Sequence, residues 1–164
     1  MNVEIEIEYW PEGAWQECAM RAAEATSAIE PAIAHPRLET SVLFTSDEQV
    51  HQLNREWRER DKPTNVLSFP MLERENLLTL DPAEEPDQPP VFLGDIALAF
   101  ETCSREAEAK GITLEQHVTH LLVHGLLHLA GHDHVESDAQ AEEMEALEVA
   151  ALAKLGIPDP YGDR

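Results

Sequence analysis

The sequence is poor in positive charge. Of its 164 residues, 11 are Lys or Arg against 33 Asp or Glu, a formal net charge of −22. So acidic a body repels nucleic acid and anionic membrane at long range, and any contact with RNA has to be made by a local basic segment. Cysteine is scarce too. Cys18 and Cys103 stand alone, without Cys-x-x-Cys spacing and without the dense, even pattern of a disulfide scaffold. They are expected as reduced core thiols of a cytosolic protein. No apolar run reaches the ~18 residues of a membrane-spanning helix. Met1–Glu4 holds no basic region ahead of an apolar core, so no secretory signal is expected. These absences predict a soluble, cytoplasmic chain. There is also no internal repeat.

What is present reads as one domain over residues 1–164. Apolar residues make up 43% and charged residues 27%, ordinary values for a globular protein. Val3, Ile5, Ile7 and Tyr9 alternate with polar residues, the period of a half-buried strand. Pro11 suits the first turn of a helix that runs through Ala14–Ile29. Residues 38–45 read as a second strand, and Ser46 with Gln49 as the capping box of a helix to about Arg58. A short third strand is expected over 64–69. Residues 73–90, rich in proline and acid, read as a long exposed acidic connection. A fourth strand over 91–100 is apolar enough for a sheet interior. Helices follow over 101–110, 113–130 and from Ser137 to Gly156, with Thr113–Gln116 and Ser137–Gln140 as capping boxes. The expected fold is α+β: a small mixed four-stranded sheet packed with helices.

The stretch HGLLHLAGHDH (124–134) is the most informative. On a helix over 113–130, His117, His120, His124 and His128 fall within roughly 80° of one another, along the edge of the apolar face. His124 and His128 are i, i+4 neighbours whose ring nitrogens can converge on one ion. Gly131 can end the helix and turn the chain back, which places His134 to return to the same ion. Three imidazoles leave a fourth position open, the arrangement of a catalytic zinc, so Zn2+ is expected at the C-terminal end of this helix. Satisfied core or surface roles are expected for His35, His51, His117 and His132. His120 is also i, i+4 to His124, and three roles stay open for it: ligand, support of the ligands from behind, or proton carrier. The same histidine spacing occurs in metzincin proteases, which carry a Glu general base directly after the first histidine. Here that residue is Gly125. Protease chemistry by that route lacks its base.

Four of the 11 basic residues lie within 55–62: Arg55, Arg58, Arg60 and Lys62, interleaved with Glu56, Glu59 and Asp61. Ion pairing along a helix end accounts for Arg55 and Arg60. The DKPTNVLSFP that follows turns the chain at Pro63 into an apolar strand, which would put Arg58 beside the sheet edge.

Together LNREWRERDKPTNVLSFP (53–70), LGDI (93–96), HVTHLLVHGLLHLAGHDH (117–134), EEMEALE (142–148) and DPY (159–161) resemble the YbeY family of bacterial endoribonucleases. The likeness covers the chain from about residue 40 onward. It implies zinc on His124, His128 and His134 and a catalytic arginine at Arg58. It also implies a single-strand-specific endoribonuclease in small-subunit (16S) ribosomal RNA 3′-end maturation and ribosome quality control. The implied partners are ribosomal RNA, the small ribosomal subunit with its proteins and a ribosome-assembly GTPase, and neither DNA nor membrane. The sequence departs from the family at His132, where tyrosine is usual. A zinc metallopeptidase-like hydrolase and a non-catalytic ribosome-assembly factor with a structural metal stay as alternatives.

Overall fold

Successive side chains of a strand point to opposite faces, and here each face meets its own helical layer. In the computed structural model, which describes residues 1–80, 88–132 and 137–161, the strands are β1 (Asn2–Ile7), β2 (Leu38–Thr45), β3 (Val66–Pro70) and β4 (Val91–Ala99). The helices are α1 (Trp15–Ile29), α2 (Asp47–Arg58), α3 (Arg74–Leu78), α4 (Phe100–Lys110), α5 (Leu114–Leu129) and α6 (Asp138–Lys154). The sheet order is β1-β2-β4-β3, with the first three strands parallel and β3 antiparallel to β4. This is the expected mixed four-stranded sheet.

Val42, Phe44, Ile96 and Leu98 point to the main core, built with α1, α5 and α6. Leu67, Ala97 and Ala99 point the other way, onto Val50 of α2. The buried apolar stripe of α5 explains why it is central: Val118, Leu121, Leu122, Leu126 and Leu129 are all in the core.

The N-cap half of each expected capping box is realised, with Ser46, Thr113 and Ser137 accepting from the amides of Gln49, Gln116 and Gln140. Gly111 and Gly156 follow α4 and α6 in left-handed conformations. Three expectations are corrected. Pro11 does not open α1, which starts at Trp15; the Pro11 carbonyl instead accepts from the Trp15 indole. The 73–90 connection is not wholly irregular, because Leu77 drops into the core and its neighbours form α3. The strand expected over 64–69 is shifted to Val66–Pro70. Among the described residues no helix is long and apolar enough to cross a membrane.

Candidate active site

The second half of α5 carries two of the predicted ligands, and the structure brings them together. The Nε2 atoms of His124 and His128 are 3.1 Å apart, with ring centroids 4.6 Å apart. The other ring nitrogen of His124, Nδ1, lies 2.8 Å from Oε1 of Glu148. A proton on Nδ1 donated to that carboxylate leaves a lone pair on Nε2, which faces the neighbouring ring. Two imidazole nitrogens this close need a proton or a cation between them. A tetrahedral zinc with bonds of 2.0–2.1 Å sets its nitrogens roughly 3.3 Å apart, so the pair fits such an ion. His134, the third predicted ligand, lies outside the described residues. Among the described residues no three His, Cys, Asp or Glu side chains converge as a metal group.

Glu148 of α6 organises this pair from behind. It is 1% exposed, and its Oε1 accepts from both His124 Nδ1 and His120 Nε2, at 2.8 and 3.0 Å. Oε2 accepts from the Tyr161 hydroxyl at 3.1 Å. Burial alone would raise its pKa; the hydrogen bonds from His120 and His124 and their charge outweigh that and hold it down at about 2. A buried carboxylate so fully bonded fixes a ligand's tautomer and ring orientation. For His120 the contact favours the supporting role, because its Nε2 is taken up by Glu148 and by Tyr161, 3.3 Å away.

Glu148 and Tyr161 were not picked out from the sequence as functional. A signal was there: Glu148 lies on the stripe of Met144, Ala151 and Leu152, an acid where the period demands an apolar residue. Tyr161 belongs to the closing DPY, where Asp159 Oδ1 accepts the Tyr161 amide at 2.7 Å and holds the turn.

The exit of α5 is clamped separately. Gly131 has φ of 100°, and a Cβ there would meet Arg74 Cβ at 2.7 Å. Arg74 Nη1 donates to the Ala130 carbonyl at 2.6 Å, and Nη2 lies 3.5 Å from Glu30 Oε2. The same Glu30 oxygen is 2.5 Å from His132 Nε2. His132 thus acts as a hydrogen-bonding ring directed at α1's end, not at the His124–His128 pair. The remaining histidines hold structural positions. His117 is buried with Nε2 on Glu106, His35 Nδ1 accepts the Arg37 amide, and His51 pairs with Asp61 at the surface.

Arg58, the last residue of α2, lies beside edge strand β3 as expected. Its Nη2 donates to the Ser68 carbonyl, and its guanidinium lies over the Phe69 ring, 5.4 Å from the centroid. Ser68 touches both helical layers: its carbonyl accepts from Arg58 of α2, and its hydroxyl faces Gly125 of α5. A Cβ on Gly125 would come within 3.4 Å of Ser68 Oγ and 3.0 Å of Ile96 Cδ1, so α5 meets the sheet at the position next to His124. A side chain at 125 would crowd Ile96 and Ser68.

The fold and this arrangement define a mixed α/β protein with a histidine pair backed by a buried carboxylate and an arginine on the adjoining strand edge. The model of the family described as "Endoribonuclease YbeY" matches residues 2–156. The chain is 75% identical over 164 residues to "Endoribonuclease YbeY" of Erythrobacter litoralis, covering 100% of this chain and 99% of the relative. It is 54% identical over 147 residues to the protein of that name from Novosphingobium aromaticivorans, covering 90% and 86%. The solution structure of TM1509 from Thermotoga maritima shares the fold, with a TM-score of 0.56 at 22% identity over 93% of this chain and 91% of that one. The chain belongs to the endoribonuclease YbeY family, and endoribonuclease is its enzyme class.

Proposed function

We propose that this endoribonuclease is zinc-dependent, cuts single-stranded RNA, and acts in the cytoplasm in 16S ribosomal RNA 3′-end maturation and ribosome quality control. The observation that carries the metal is the convergence of His124 and His128, with the tautomer of His124 set by Glu148. These two residues and His134 would hold the ion. When bound, zinc supplies a lowered pKa for water or polarisation of a phosphoryl oxygen.

The chain's own residues do the rest. Glu148, His120 and Tyr161 keep the ligand rings oriented. Arg58 is held at the strand edge by the Ser68 carbonyl, and its planar fork suits the charge that develops on phosphorane oxygens. The acidic body fits a protein that reaches RNA on the small ribosomal subunit through its proteins, or through an assembly GTPase, rather than by free capture.

The test is to assay metal-quantified protein on single-stranded and structured RNA, beside His128→Ala and a casein control. Single-stranded RNA should be cut, casein spared, and His128→Ala inactive. Proteolysis by the wild type that is absent in His128→Ala would overturn the reading.

A further inference from the structure

The three tryptophans of the chain have different fates. Trp10 and Trp15 are 7% and 6% exposed, and each indole N–H donates to a backbone carbonyl, of Thr45 and Pro11. Trp57 is 71% exposed, and among the described residues its indole has no partner. Packing does not account for an aromatic left so far in water, since burying such a ring removes roughly 150–250 Å² from solvent.

Its surroundings are built, not loose. The side chain of Asn54, 2% exposed, donates to the Lys62 carbonyl at 2.8 Å. The Asn54 carbonyl accepts the Arg60 amide at 3.2 Å and also the Glu59 amide. Glu59 takes φ of 56°, the left-handed region that favours glycine, so the chain reverses directly after Arg58. This held turn presents Arg60 and Lys62, both exposed and, among the described residues, in no ion pair. The nearby acids are partly occupied: Asp61 by His51 and Arg55 at 2.7 and 3.9 Å, and Glu56 by Gln52. Residues 55–62 carry four basic and three acidic side chains, a net positive segment in a chain of net charge −22. In so acidic a chain this is where a polyanion can settle.

We propose that Trp57 is a base-stacking platform for single-stranded RNA, with Arg60 and Lys62 holding the phosphates of the stacked nucleotides. The inference rests on the endoribonuclease reading of the histidine site, and adds where the strand lies. Trp57 shares the last turn of α2 with Arg58, whose guanidinium reaches the Ser68 carbonyl of β3, so RNA held by Arg58 passes the turn that carries the indole. Only unpaired bases can stack there, because paired bases are already stacked on each other. The indole therefore discriminates single strand from duplex, while the cations do not.

The experiment uses the zinc-loaded full chain and three probes: a short single-stranded 2′-O-methyl oligoribonucleotide, the same backbone with abasic positions, and the matching duplex. Tryptophan emission should be quenched by the single strand and hardly by the other two. Trp57→Ala should bind the single strand about tenfold more weakly with an unchanged salt slope, and Trp57→Phe should recover most of the loss. Arg60→Gln with Lys62→Gln should lower the slope by about one to two units. Trp57→Ala binding at wild-type affinity, or losing abasic and base-bearing strands equally, overturns the platform. If the wild type still cuts RNA in that case, only this inference falls. If zinc-loaded wild type neither binds nor cuts RNA, the functional reading falls with it.

Discussion

Arg58 has five N–H donors, and the structure commits one of them to the Ser68 carbonyl. The others can meet a phosphate without the side chain giving up its position. A contact that merely holds RNA would lower affinity on removal, whereas one made chiefly in the transition state lowers kcat. Arg60 and Lys62 lie two and four positions further on and can hold phosphates, so the second outcome is expected. Single-turnover cleavage by Arg58→Ala should fall about 100-fold, with RNA affinity nearly intact. Arg58→Lys should restore little, since an ammonium neither makes the bidentate contact nor stacks on Phe69 in the same way. A variant that cuts at the wild-type rate with its zinc in place would remove Arg58 from the mechanism.

Elements carry the site's geometry. α5 brings His124 and His128 into register, α6 supplies Glu148, and the end of α1 supplies Glu30. Glu30, Arg74 and His132 join three chain segments at the exit of α5, two residues before His134 in sequence. Glu30→Ala should cost about 0.5–1.5 kcal/mol in urea unfolding, because it removes the acceptor shared by the partly exposed Arg74 and His132 side chains. It should also weaken zinc retention about tenfold against a chelator, while leaving RNA affinity of the zinc-loaded protein unchanged. Full zinc retention in a destabilised Glu30→Ala would limit the clamp to stability.

Elements are also where the sequence was most and least legible. Ser46, Thr113 and Ser137 announced their helices because capping chemistry is local. The four strands came out within a few residues because period-two patterns survive without tertiary information. α3 was hidden inside a proline-rich, acidic stretch, since its one buried leucine, Leu77, has meaning only against a core distant in sequence. The histidine pair was readable from i, i+4 spacing. Its backing by Glu148 was harder to see, because that contact joins residues 24 positions apart.

Across the whole molecule, buried titrating groups tie stability to pH. Burial pushes His117 below its ordinary value, against the hydrogen bond to Glu106 that favours the charged form. The native state therefore holds His117 neutral where the unfolded chain would begin to protonate it. Its contribution is present above the ordinary histidine pKa of about 6.5 and is lost as pH falls through that value toward the lowered one. The unfolding free-energy gap between wild type and His117→Gln should accordingly narrow between pH ~7.5 and ~5.5. A gap that widens on acidification would mean that the Glu106 pairing, and not burial, governs this histidine.

The central claim is that the His124–His128 pair is one side of a zinc site on which RNA cleavage depends. The most direct measurement is zinc content per chain together with RNA cleavage, taken after chelation and again after zinc is returned, for wild type and for His124→Ala, His128→Ala and His134→Ala. Wild type should hold close to one zinc, lose activity with it and recover both, while each variant should bind little zinc and stay inactive. Variants that keep a full complement of zinc, or a chelated wild type that still cuts RNA at its original rate, would contradict the account.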